Sequence, residues 1–345
     1  MQNQNLNISI IIAVYQRQDE LKELLESLAN QIDKSFEIIV VDDGSPARLL
    51  DLAEKFQTRL NIHYFYKENS GPAQSRNFGA ERASGNYFIF LDSDTIAPLD
   101  YLAIVRKELT ENYVDGFGGP DAADKSFTDL QKAISFSMTS FLTTGGIRGG
   151  KKHVGKFQPR SFNMGISKEA FEKTGGFGNL RIGEDPDLSM TLWENGFETR
   201  LFPEAKVFHK RRTSLKKFAK QVYQFGVARP ILNQRHPGSS KLTYWFPILF
   251  TLGYVITLFL LFLHLFNPSF RSDWIFLPLI FYILYFMLIW WFSLIKTNSF
   301  LVSRIAPYIV IILFAAYGYG FLKSWILLNI YRQKPEKAFP GHFSK

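Results

Sequence analysis

Two aspartates one residue apart, Asp92 and Asp94, follow the apolar run Tyr87–Leu91 in the stretch YFIFLDSDT. Along a strand, residues i and i+2 project to the same side. Carboxylates so placed repel each other unless a cation relieves them. A hard divalent ion does so, taking one or two carboxylates and completing its shell with water and substrate phosphate oxygens. A polar turn at a strand end is the ordinary alternative, and the pair alone does not exclude it.

A second acidic pair, Asp42 and Asp43, ends the apolar run of FEIIVVDDGS. Such carboxylates offer acceptors to the N–H edge of a nucleobase or to ribose hydroxyls. Arg76, in GPAQSRNFGA, lies between the two acidic stretches and is either a diphosphate partner or an exposed helix cation. Glu184 and Asp185 follow Gly183 in RIGEDPDLSMTLWENGF. A carboxylate there can serve as general base for an acceptor hydroxyl, while acids at a helix start are stabilising in any case. His209, in AKVFHKRR, is either a structural histidine or, as neutral imidazole, a further metal ligand.

The elements around these residues alternate. Ile8–Tyr15 is an apolar run rich in β-branched residues, which suits a strand buried on both faces. DELKELLESLANQ carries leucines at 21, 24, 25 and 28 behind Asp19 as N-cap. Further strands (FEIIVVDD, NIHYFYK, YFIFLDSD) alternate with helices at LLDLAEKF and GPAQSRNFGAERA. The order predicts an α/β, doubly wound parallel sheet. Ligands of such sheets bind beyond the carboxyl ends of the strands, where both acidic pairs fall. Residues 115–165 are glycine-rich and weakly periodic, and read as loops with one helix around FTDLQKAISFSMTSFL.

The 345 residues contain no cysteine, which excludes disulfides, thiolate metal sites and cysteine nucleophiles. Aromatic residues make up 16%, with 34 phenylalanines, concentrated late in the chain. Residues 244–266 and 274–295 lack Asp, Glu, Lys and Arg, and 305–328 holds only Lys323. Each exceeds the roughly 20 apolar residues that span a bilayer. The start MQNQNLNISIIIAVY has no basic n-region, so no secretory signal is expected. The formal charge of +9 gathers in Ala205–Lys241, which holds ten Lys or Arg and no acid. Directly before an apolar span, that segment reads as a cytoplasmic flank facing anionic lipid rather than nucleic acid. Within it, Leu215, Phe218, Val222 and Phe225 at helical spacing suggest an interfacial helix. Three crossings would carry the basic tail YRQKPEKAFPGHFSK to the far side, against the positive-inside tendency. A partly interfacial or re-entrant YGYGFLKSWILLNIYR would return it.

Taken together, ISIIIAVYQR, IVVDDGS, GPAQSRNFGA, GNYFIFLDSDT, FNMGISKEAFEKTGGF, GEDPDLSMTLWENG and VFHKRR resemble, in order, the family 2 glycosyltransferases of membrane-anchored bacterial type. The resemblance covers roughly residues 6–230. It implies a GT-A domain, mostly parallel and binding a nucleotide-diphospho-sugar, over 1–212. A basic interface segment (213–240), α-helical transmembrane spans (241–330) and a polar tail (331–345) would follow. It also implies a UDP- or GDP-linked donor with Mn²⁺ or Mg²⁺. Asp94 and Asp92, with His209, would hold the metal. Ala13, Tyr15, Asp42, Asp43, Arg76, Asp92 and Ser93 would contact the nucleotide. Asp185, beside Glu184, would be the catalytic base of an inverting transfer. The partners so implied are a lipid-linked or glycan acceptor and membrane lipids, in cell-surface polysaccharide or glycolipid synthesis at the inner membrane, with no nucleic acid.

Two departures bear on this. The family's first strand ends Pro-x-Tyr-Asn, whereas Ala13 and Gln16 stand there, and neither change removes a catalytic group. Processive polymerases carry Gln-x-x-Arg-Trp, but here Gln224 and Phe225 follow Gln221, which favours transfer of a single sugar. A polyprenyl-phosphate sugar transferase is the nearest alternative. A catalytically silent nucleotide-sugar-binding protein is the alternative of another class. A dinucleotide-dependent oxidoreductase would need glycines in AVYQRQDE, which has none.

Overall fold

The computed structural model describes residues 6–122, 127–145, 156–209, 214–267, 269 and 273–344. The lysine- and glycine-rich run 146–155 and the basic residues 210–213 singled out above lie outside them. The chain divides into two compact units. The first comprises Met1–Asp124, Arg148–Lys210 and Phe339–Lys345, and the second Lys125–Ile147 and Arg211–Ala338.

The first unit opens with the predicted alternation: β1 (Ile8–Val14), α1 (Gln18–Ala29), β2 (Phe36–Asp42), α2 (Leu50–Glu54), β3 (Ile62–Tyr66), α3 (Pro72–Ala80) and β4 (Tyr87–Leu91). Next come β5 (Thr95–Ile96), α4 (Tyr101–Glu111), β6 (Gly116–Gly118) and β7 (Asp121–Ala122). After α5 (Asp129–Thr139) and α6 (Phe141–Thr144), which belong to the second unit, it resumes with β8 (Asn163–Ser167), α7 (Lys168–Thr174), α8 (Glu184–Glu194), β9 (Thr199–Leu201) and β10 (Val207–His209). The main sheet has the order β3-β2-β1-β4-β8-β6-β9. β1 pairs in parallel with both β2 and β4, and β8 runs antiparallel to β4 and β6.

Both faces of the sheet are covered, as the unbroken apolar strands require. Ile10, Ile12, Ile38 and Val40 pack with the leucine stripe of α1. Ile11, Ile39 and Val41 pack with Ala73 and Ala80 of α3, Phe171 of α7, and Leu188 and Leu192 of α8. The helix α1 begins at Gln18, not behind a capping Asp19: Arg17 occupies the N-cap, and Asp19 sits in the first turn.

The expectation of loops with a single helix across 115–165 is corrected by β6 and β8. Their glycines hide the strand pattern because bulk is excluded there. A Cβ on Gly165 would lie 2.0 Å from Phe117 Cε1, and the Phe117 ring stacks on Phe202 at a centroid distance of 4.5 Å. Removing the side chain makes room for a stacked aromatic core.

The second unit adds α9 (Leu215–Arg235), α10 (Phe246–Phe266), α11 (Phe276–Thr297), α12 (Phe300–Trp325) and α13 (Pro335–Ala338). Among the described residues, three segments are long and apolar enough to cross a membrane: Leu242–Phe266, Asp273–Thr297 and Phe300–Ile330. The third begins before the expected residue 305, because the Ser299 side chain caps α12 by accepting from the Val302 N–H. It thereby takes in Arg304. The stripe on α9 expected to meet lipid is largely covered by protein: Phe218 and Val222 are buried among residues of α5 and α12, and Leu215 is exposed. Small residues let the two backbones close in. A Cβ on Gly226 would lie 2.2 Å from the Tyr317 carbonyl oxygen, and one on Gly320 2.3 Å from that of Tyr223.

Candidate active site at the carboxyl rim of the sheet

β1, β2 and β4 all end at the same rim, and the acids singled out in the sequence follow directly. The Asp92–Asp94 pair does not continue the strand. β4 stops at Leu91, and the Thr95 N–H and Oγ1 both donate to the Asp92 carbonyl, at 3.1 and 2.7 Å, closing a turn. The alternation argument therefore does not govern these two carboxylates, and each faces a different cation. Arg76 Nη2 donates to Asp92 Oδ1 at 2.7 Å. Arg17 Nη1 donates to Asp94 Oδ2. Ser93 between them is buried.

Arg76 is no exposed helix cation. It lies on α3 at 4% exposure, with its guanidinium over the Phe177 ring at 5.4 Å. Its second contact is with Glu184 Oε1, 3.3 Å from Nη1. One buried cation thus ties the acidic turn after β4 to the first residue of α8. Burial, reinforced by the neighbouring Asp185 charge, pushes the Glu184 carboxyl up to about 7, against the pull of Arg76. Asp185 sits next to it on the first turn of α8. Its Oδ2 is 3.4 Å from Arg160 Nη1, and Gly183 ahead of it has the left-handed φ of +90° that glycine tolerates.

Asp42 and Asp43 are both buried and engaged by protein donors. Asp42 accepts from the Ser45 N–H at 2.9 Å and the Tyr64 hydroxyl at 2.7 Å. Asp43 accepts from Lys67 Nζ, the Ser70 N–H and the Gly71 N–H, each at 2.9 Å. These bonds fix the loops after β2 and β3 around the rim. Ala13 pairs with Val41 in the register of β1 and β2, and Tyr15 projects beyond the strand, 45% exposed. Gln16 holds a φ of +54°, a conformation that asparagine adopts more readily. Its N–H donates to Ser45 Oγ at 2.9 Å.

His209 stands opposite Thr95 in the antiparallel pairing of β10 with β5. Its backbone is one register step from Asp94, while its side chain lies outside what the structure describes. No three His, Asp or Glu side chains gather into a ready-made cage among the described residues. The hard oxygens of Asp92 and Asp94 nevertheless fit a divalent ion that takes one or two carboxylates and draws its other ligands from water and phosphate.

The structure therefore brings Arg76, Asp92, Ser93, Asp94, Glu184 and Asp185 to one rim, with Asp42, Asp43, Ala13 and Tyr15 along its β1–β2 side. Sequence reasoning missed Arg17, Arg160 and Lys67 as the cations that hold Asp94, Asp185 and Asp43. Arg17 stood within the quoted run ISIIIAVYQR, whereas nothing local distinguishes Arg160 or Lys67 from surface cations.

Residues 9–175 match the model of glycosyl transferase family 2. An uncharacterized glycosyltransferase of Rickettsia felis is 41% identical over 105 residues, covering 30% of this chain and 17% of that protein. One from Haemophilus influenzae is 29% identical over 220 residues, 60% of this chain and 70% of that protein. The chain thus spans less than a fifth of the length of the Rickettsia relative. Among solved structures, the mannosyltransferase PcManGT from Pyrobaculum calidifontis, in complex with GDP-Man and Mn2+, is similar in fold. Its TM-score is 0.59 at 16% identity, covering 96% of this chain and 89% of that one.

Proposed function

We propose that this chain, whose residues 9–175 match the model of glycosyl transferase family 2, moves a single sugar from a nucleotide-diphospho-sugar to an acceptor at a membrane, with inversion. The observation that carries this reading is the buried Arg76 bridge, which joins Asp92 of the donor side to Glu184, the neighbour of Asp185, on one rim.

The nucleotide lies over the ends of β1 and β2, with Asp42 or Asp43 and the Ala13–Tyr15 segment toward its base and Asp92 toward its ribose. Asp94 and Asp92, with His209, would hold Mn²⁺ or Mg²⁺, at the carboxylate that Arg17 now contacts. When bound, the ion offsets the charge that develops on the departing diphosphate. Asp185 takes the proton of the acceptor hydroxyl as that oxygen attacks the anomeric carbon from the face opposite the diphosphate. Arg160, 3.4 Å from Asp185 Oδ2, orients that side chain for the task. The pocket's main contribution is to place donor and acceptor in line.

The apolar helices and the basic segment before them support a reaction at the cytoplasmic face of a membrane. A lipid-linked acceptor of a cell-surface polysaccharide or glycolipid is the substrate class this supports. Gln224 and Phe225, in place of the polymerase Arg-Trp, favour one sugar per turnover. The experiment is calorimetry of UDP and GDP, with and without Mn²⁺ or Mg²⁺, on detergent-purified wild type and Asp94→Ala. Metal-dependent binding of one nucleotide, lost in the variant, supports the reading. Folded wild type that binds neither nucleotide removes it.

A further inference from the structure

The last residues of the chain do not trail away from the sheet domain. Phe339, His342 and Phe343 are 8%, 7% and 9% exposed. Phe343 forms an antiparallel bridge with Leu180, which is itself fully buried. The Arg181 N–H donates to the His342 carbonyl and the Ser344 N–H to the Asn179 carbonyl, both at 2.8 Å. Residues 179–181 are the approach to Gly183, Glu184 and Asp185. On the other side of the tail, a Cβ on Gly71 would meet Ser344 Oγ at 3.7 Å, and the Gly71 N–H is one of the donors to Asp43. The segment Phe339–Ser344 therefore pairs with the loop ahead of Asp185 and lies beside the turn that caps Asp43.

We infer that Phe339–Ser344 is a strap of the active site, a positioning element that holds the loop Asn179–Arg181, and through it Asp185, against the donor-binding rim. This rests on the transferase reading above. Its geometric half has a further consequence. The chain leaves the sheet domain after Lys210 and rejoins it at Phe339, so it crosses a membrane an even number of times in between. One of the three apolar helices then does not cross. Phe300–Ile330 is the most enclosed by protein, packs along α9 and α5, and carries Arg304, Pro307 and Lys323. An even number of crossings keeps the basic tail on the catalytic side.

The bridge offers a direct test. The flanking hydrogen bonds make Leu180 and Phe343 a non-hydrogen-bonded antiparallel pair, whose Cα atoms lie about 4.5 Å apart. That spacing suits a disulfide, and the chain has no cysteine of its own. Leu180→Cys/Phe343→Cys, oxidised in native membranes, is expected to cross-link in most molecules, seen by mass spectrometry of the joined peptides, with nucleotide binding retained. Deleting residues 339–345, or the milder Phe343→Ala, is expected to lower kcat about tenfold or more while nucleotide affinity changes less than about threefold. Phe343→Leu should recover most of the rate. No cross-link in protein that binds nucleotide overturns the strap, and so does a deletion with unchanged kcat. Failure of the transferase reading shows instead as absent nucleotide binding by the wild type, whatever the cross-link reports.

Discussion

Arg76 and Glu184, 108 residues apart in the chain, meet with Nη1 and Oε1 at 3.3 Å. The contact places a buried guanidinium between the acid turn after β4 and the first turn of α8. Removing one partner of a buried, multiply bonded ion group leaves charge uncompensated, which costs about 3–5 kcal/mol. Arg76→Ala is expected to destabilise the detergent-purified chain by that order, read as a lowered thermal midpoint, and to abolish nucleotide binding. Arg76→Lys cannot reproduce the two-sided fork and should lose turnover while regaining part of the stability.

The raised Glu184 carboxyl has a pH signature of definite sign. Its folded value of about 7 lies above the ordinary 4.5, so between those values the folded chain binds more protons than the unfolded one. Stability from this group is then full below about 4.5 and is lost as the pH rises through about 7. Glu184→Gln is expected to flatten the fall in thermal midpoint between about pH 5 and 7. An unchanged slope would show that another group titrates there.

Arg17 and Asp94 form a half-exposed pair, with Arg17 at 37% side-chain exposure. Such pairs contribute at most about 1 kcal/mol, so Arg17→Ala should leave the thermal midpoint nearly unchanged. Because it frees Asp94 from a competing cation, Mn²⁺ is expected to bind more tightly in the absence of nucleotide. Calorimetric titration of the ion alone measures this, and weaker binding would speak against Asp94 as a ligand.

Close backbone approach between α9 and α12 depends on Gly226 and Gly320. Gly226→Val places its side chain against the Tyr317 carbonyl, which cannot yield as a flexible side chain would. Overpacking of this kind costs about 1–3 kcal/mol, and a lowered thermal midpoint with retained nucleotide affinity is expected.

The sheet strands and their acids were legible because β-branched runs and two-residue acid pairs are local signals. β6 and β8 were not, since Gly165 gives way to Phe117 and Gly118 to Phe157 and Pro159, contacts between distant segments rather than any period. Glu184 and Asp185 were visible as acids at a helix start, yet their connection to Asp92 depends on Arg76, whose burial follows from packing across the whole unit. The lipid-facing reading of α9 missed because Phe218 and Val222 face α5 and α12, a partnership that spacing along one helix cannot report. The return of Phe343 to Leu180 is likewise a contact between distant segments with no sequence mark.

The central claim is that Asp185 activates the acceptor on a rim that binds the donor. The most direct measurement is nucleotide release from UDP- and GDP-sugars by wild type and Asp185→Asn in membrane vesicles carrying polyprenyl-linked acceptors, with nucleotide affinity measured in parallel. The expected result is acceptor-dependent release by the wild type and a loss of about a hundredfold or more in the variant, at nearly equal nucleotide affinity. An Asp185→Asn chain that transfers at the wild-type rate would contradict it.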